Sequence, residues 1–188
     1  PVVEKPLEIT KETVSVSNII INRKNIAEWL NLVEIDHLPR NNYVIVCSGY
    51  GCIFKTKAKF SEGLYNEIKE VMDTSTNAEN EREALKKVLN LIKNKIGILT
   101  GTEKDSPGEP FLGNGSSGQM NNSDETNNTL QYLYILADKG YIRYHHLESP
   151  IAGNFFTYMN RIIDKDAGKS YLIGNDKEGK YVIVSGQK

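Results

Sequence analysis

The sharpest periodicity in the chain is a helical stripe in which Leu85, Val88, Leu89, Ile92 and Ile96 recur every three or four residues. Glu83 and Lys87 lie one turn apart on its polar side, and Gly97 fits the stop position. The segment "EGLYNEIKEVM" repeats the pattern with Leu64, Ile68, Val71 and Met72 behind an N-cap at Ser61. Upstream, "NIAEWLNLV" spaces Ile26, Trp29, Leu30 and Val33 at helical intervals, which makes Trp29 a core anchor. A further helix carries Thr126, Leu130, Leu133, Tyr134 and Ala137 on one side and ends at Gly140.

Strand patterns surround these helices. "TVSVSNIII" (residues 13–21) alternates before turning apolar, and "NYVIV" and "IFKTK" flank the glycine-bearing "CSGYGC" as a hairpin. After Gly140 the chain alternates strand and turn: "YIRYHHL", "NFFTYMNRIID", the turn "KDAGK", "SYLIG", the turn "NDKEGK" and "YVIVS". Helices followed by an antiparallel meander predict an α+β fold, with helices packed on an antiparallel β-sheet. Residues 1–42 read as an N-terminal arm and helix, and residues 43–188 as the main domain.

Composition narrows the partners. The 188 residues include 23 basic and 24 acidic side chains, a formal charge of −1, which gives no electrostatic footprint for nucleic acid or an anionic membrane. No apolar run approaches the ~20 residues of a membrane span.

The two cysteines, Cys47 and Cys52, are close in sequence. A four-residue loop would set them opposite each other on the hairpin, where Cβ atoms are roughly 4.5–5.5 Å apart. A bridge or two buried thiols is therefore favoured over a metal site, which usually needs four ligands where only one Cys pair exists. A disulfide would imply an oxidising compartment such as the periplasm.

Residues 100–122 are dense in Gly, Ser, Asn and Pro, which fits a loop that lines a binding site and equally a disordered surface excursion. Their glycines do not match a phosphate-binding fingerprint. The loop runs straight into "QMNNSDETNNTLQYL" (residues 119–133), a concentration of hydrogen-bonding side chains at the mouth of a helix.

Taken in order, "CSGYGC", "FSEGL", "ERE", "GQM" and "DETNNT…YL…L…KGYIRYH" resemble an uncharacterised bacterial group of exported proteins with a transglutaminase-like or papain-like core. The resemblance runs from about Tyr43 to the C-terminus, and "GQM…DETNNTLQYL" is its most specific part. It implies that core fold, a periplasmic or exported location, and a Cys–His–acid site. In such a site a helix N-terminus stabilises the thiolate, and a strand His oriented by an acid serves as base.

Carried over residue by residue, the cysteine falls at Asn122, the histidine at Phe155 and the acid at Gly174. None of the three can perform its role. The resemblance therefore implies a catalytically degraded protein with no cofactor and no metal, acting by binding a peptide, glycan or protein partner. Gln119, Asn122, Ser123, Asp124, Glu125, Asn127 and Asn128, with Thr129, form its expected binding shell.

The alternative is an active hydrolase or acyltransferase using Ser123 with His145 or His146, which requires a Ser123 hydroxyl within reach of an imidazole. The competing role for Ser123 is an N-cap. Each His is expected to be exposed or at the core edge, and Asp176 is expected to be a turn former.

Overall fold

A computed structural model describes residues 20–106, 115–153 and 157–186. Among them the order is α1 (Arg23–Asn31), β1 (Tyr43–Ser48), β2 (Phe54–Lys59), α2 (Glu62–Met72), α3 (Ala78–Thr100), α4 (Asn122–Asp138), β3 (His145–Ala152), β4 (Tyr158–Asp164), β5 (Ser170–Asn175) and β6 (Tyr181–Ser185). The fold is α+β, but with two antiparallel sheets, a β1–β2 hairpin and a β3–β4–β5–β6 meander. Most of the expected strand at residues 13–21 lies outside the described residues. Its last residue, Ile21, bridges Leu147 of β3 in parallel.

One apolar core joins these parts. Ile26 and Leu30 of α1, Val44 and Val46 of β1, the α3 stripe, Leu130 and Leu133 of α4, and Ile162 of β4 are all essentially inaccessible. At about 25 cal/mol per Å² of apolar area removed from water, burying such side chains is the main source of stability. The helix of the N-terminal segment thus shares its core with the rest of the chain. No described helix is long and apolar enough to cross a membrane.

Local chemistry sets the helix ends. The Ser61 hydroxyl accepts from the Leu64 N–H, as the sequence predicts. Helix α3 is capped by Asn77, which accepts from the Asn80 N–H, and it runs through Gly97 to a left-handed stop at Gly101 (φ +78°). Gly97 serves a different purpose from the expected stop. A Cβ there would come within 3.1 Å of the Glu103 nitrogen, so the missing side chain lets the 3-10 turn Thr102–Lys104 fold back against the helix.

The hairpin also departs from expectation. Cys47 pairs with Lys55 and Ser48 with Phe54, so the loop is residues 49–53 and Cys52 belongs to it rather than to β2. The disulfide forms nevertheless, with Cα atoms 4.4 Å apart. The loop can fold back this far because residues 49–52 all have positive φ, two of them glycines.

Candidate functional site

Helix α4 is buried along nearly its whole length, Asp124 and Thr126 to Ala137 included, although its first half is polar. Buried polar groups cost free energy unless hydrogen-bonded, so each of these side chains needs a partner. Each has one.

The helix begins with a capping box at Asn121, whose side chain accepts from the Asp124 N–H while Asp124 accepts from the Asn121 N–H. Ser123 is therefore not the N-cap. Asn121 holds that role, and the reciprocal bond to Asp124 satisfies its own N–H as well.

The Asp124 carboxylate reaches beyond its own helix. It accepts from the backbone N–H groups of Tyr50 (2.8 Å), Gly51 (3.1 Å) and Cys52 (2.5 Å), the successive amides of the disulfide loop. Burial pushes this carboxyl above the ordinary carboxylate range, while the four N–H donors oppose the shift by favouring its charge.

Two carboxamides treat β1 as a partner strand would. Asn128 accepts from the Cys47 N–H (2.7 Å) and donates to the Cys47 carbonyl (2.9 Å). Gln131, one turn later, accepts from the Ile45 N–H (2.9 Å) and donates to its carbonyl (2.7 Å). Strand residues two apart present their edge in the same direction, so side chains three apart on the helix close the β1 edge that β2 leaves open.

Asn122 repeats the device on β4. Its amide donates to the Tyr158 carbonyl and accepts from the Tyr158 N–H, and Thr126 donates to the same carbonyl. Asn127 accepts from the Trp29 indole N–H (2.9 Å), and that ring meets Tyr158 edge-on at 5.3 Å. Glu125 pairs with Lys93 (2.9 Å), and Thr129 shares a hydrogen bond with the Tyr181 hydroxyl. Gln119 donates to the Lys104 carbonyl, and its own carbonyl accepts from Gly49.

The predicted binding shell is thus brought together, but as internal fastening. Asp124 and Asn128 are buried with both ends of their side chains engaged, and Asn127 is buried with its Oδ1 held by the Trp29 indole. Sequence reasoning missed Trp29 as a member of this cluster, along with Lys93, Tyr158 and Tyr181. Nothing local marks them, since Trp29 and Asn127 are 98 positions apart.

Of the matched catalytic positions, Asn122 and Gly174 line one small depression of about 10 Å³ with Thr126, Tyr158 and Asn160. Phe155 lies outside the described residues. The Oδ1 atoms of Asn160 and Asn175, also at this depression, are buried without a partner among the described residues.

The imidazoles are elsewhere. His145 is fully buried, not at the core edge as expected, with Nδ1 2.8 Å from Glu81 and Nε2 3.2 Å from an Arg82 nitrogen. An arginine can only donate, so these contacts assign the N–H of His145 to Nδ1. His146 is partly buried and pairs with Ile163. Asn122 grips β4 at Tyr158, so five strand residues, roughly 17 Å at ~3.3 Å each, separate that grip from the His146 register position. Ser123 makes no side-chain hydrogen bond among the described residues, so the Ser–His contact that the hydrolase alternative requires is not formed. Asp176 is a turn former as expected, accepting from the Glu178 and Lys180 N–H groups.

No group of acidic, His or Cys side chains among the described residues could hold a metal ion. No protein-family model, curated protein or solved structure matches the chain.

Proposed function

We propose that this chain is a catalytically silent relative of transglutaminase-like and papain-like proteins, exported from the cell and acting by binding a peptide, glycan or protein partner. The observation that carries this reading is the fate of Asn122. It occupies the helix N-terminus that would present a nucleophile, and both ends of its carboxamide are spent on the Tyr158 backbone. A nucleophile must be free to attack and must have a base to accept its proton. Asn122 has neither property, and Gly174 beside it offers no carboxylate to orient a base. The Cys47–Cys52 bridge is compatible with an exported protein, because such bonds persist in oxidising compartments.

The test is covalent labelling of the native protein with a fluorophosphonate and an iodoacetamide probe. Ser123 should remain unmodified, and Asn122→Cys alone should give no turnover, because Phe155 and Gly174 would also have to become His and Asp. Labelling of Ser123, or an ester-hydrolysing activity lost in Ser123→Ala, would replace this reading with the hydrolase.

A further inference from the structure

On the opposite flank of α4 from Asn122, the segment before β1 and the outward face of the hairpin enclose a groove of about 260 Å³. Its floor is Pro39, Tyr43 and Ile45, and its rim carries Arg40, Lys57 and His37. Among the described residues no carboxylate lines it. The nearby acids are engaged or turned aside: Glu34 pairs with Lys55, Asp138 with Arg23, and Asp36 lies 3.8 Å from His37.

The cations are poised in one place. Lys57 is 4.2 Å above the Tyr43 ring and Lys59 is 5.7 Å from it. Neither has a carboxylate partner among the described residues, and the exposed Arg40 guanidinium makes no side-chain hydrogen bond or ion pair there. Lysines on the free edge strand β2 have an ordinary use, since charge on an edge discourages pairing with another chain. That account does not extend to Arg40, which belongs to the loop before β1 and shares the groove. Nor does it explain an apolar floor beneath the charges. In a chain of net charge −1, this concentration of unpaired cations is local.

We infer that this groove is a binding site for a small organic anion, with its carboxylate or phosphate held by Arg40 and Lys57 and its apolar body against Tyr43 and Ile45. A guanidinium fork matches both oxyanions, an ammonium adds a point charge, and a few polar groups over an apolar floor are the usual make-up of small-ligand sites. The volume is slightly below the ~300–1,000 Å³ of drug-sized sites, which suits a ligand of one ring or a short chain. The inference stands apart from the reading of Asn122 and survives if that reading fails.

Phenylacetate, phenylphosphonate and the uncharged phenylacetamide serve as probes, titrated into the isotope-labelled protein at low salt while amide resonances are followed. Phenylacetate or phenylphosphonate should shift Arg40, Tyr43, Ile45 and Lys57 saturably at millimolar concentration, and phenylacetamide should bind at least about tenfold more weakly. Tighter binding of the phosphonate names phosphate as the natural group, and tighter binding of the carboxylate names carboxylate. Arg40→Gln with Lys57→Gln should weaken the preferred anion at least about tenfold, whereas Lys177→Gln, in the distant β5–β6 turn, should not. Absence of saturable shifts with either anion, equal affinity for the amide, or indifference to the double substitution would overturn the site.

Discussion

The two ends of β4 are both fastened by polar side chains, yet the fastenings are built from different chemistry. At the Tyr158 end, α4 presents carboxamides to strand backbones: Asn122 to Tyr158, Asn128 to Cys47 and Gln131 to Ile45. At the Asp164 end, Glu81 of α3 accepts from the Arg143 and Tyr144 N–H groups and from His145, while Arg82 approaches both His145 and Asp164. The difference follows from what each target offers. A strand edge shows an N–H and a C=O from the same residue, and a carboxamide can accept from the one with its oxygen while donating to the other with its nitrogen. A turn or loop start shows N–H groups alone, and a carboxylate suits them. Asp124 on the loop at residues 50–52 obeys the same rule as Glu81, although it belongs to the amide-rich helix.

The sharpest way to break this rule is to remove the carboxylates. Asp124→Ala would leave the buried Cys52 N–H and the part-buried N–H groups of Tyr50, Gly51 and Asn121 without their acceptor, at up to ~1–3 kcal/mol each, and a total loss of about 3–5 kcal/mol is expected. Glu81→Ala should cost a similar ~3–5 kcal/mol, because it leaves the Arg143 and Tyr144 N–H groups and the buried His145 Nδ1–H without their acceptor. Urea unfolding reads both, and a loss below about 1 kcal/mol for either would mean that water supplies what the carboxylate does.

The amides allow a finer test by exchange. Asn128→Ala should cost about 1–3 kcal/mol, from one lost acceptor and one lost donor at Cys47. Asn128→Asp should cost more than the alanine despite keeping the shape, since it sets a carboxylate oxygen against the Cys47 carbonyl. An aspartate milder than the alanine would show that β1 does not need the donor.

How much of this could be read from the sequence depends on distance along the chain. The α3 stripe, the Ser61 cap and the β3–β6 meander were legible because their signals lie within a few residues of one another. The polar run at residues 119–131 was legible as an anomaly, but its purpose was not, because apart from the Asn121–Asp124 cap its main partners are remote. Carboxamides that close a strand edge look, in one dimension, the same as carboxamides that line a cleft. The Glu81–His145 pair was illegible for a simpler reason: Glu81 is among several acids near a helix start, a position that already has a dipole explanation. Gly97 misled because glycine stops helices and also permits close packing, and only Glu103 in space distinguishes the two uses.

The disulfide gives a smaller effect within the same comparison. Closing so short a loop contributes about 2 kcal/mol by chain entropy, so Cys47→Ala with Cys52→Ala should lower stability by that order without unfolding the protein. The Asp124 carboxylate holds the same loop through residues 50–52, so the two contributions are coupled. Combining Asp124→Ala with the double cysteine variant should depart from additivity by ~0.5 kcal/mol or more, whereas combining it with Glu81→Ala at the far end of β4 should not. Strict additivity in the first pair would separate the loop from the helix.

The smallest expected effect concerns Asp105, which fastens the glycine-rich stretch to the mouth of α4 by accepting from the Met120 N–H. Burial pushes its carboxyl up to about 6, opposed by that N–H and reinforced by the negative charge of Glu125. A carboxyl raised above its unfolded value of ~3.9 binds its proton more tightly in the folded state. Its contribution to stability is therefore full below about pH 4 and is lost as pH rises through about 6, the reverse of an ordinary paired carboxylate. The protonated group keeps a carbonyl oxygen for Met120, so the fastening survives acidification. Asp105→Asn keeps that acceptor and removes the titration. Midpoints of thermal unfolding measured from pH 7 down to pH 4 should gain relative to the variant in the wild type, with the inflection near 6. Parallel curves for the two proteins would show that Asp105 is hydrated as in the unfolded chain.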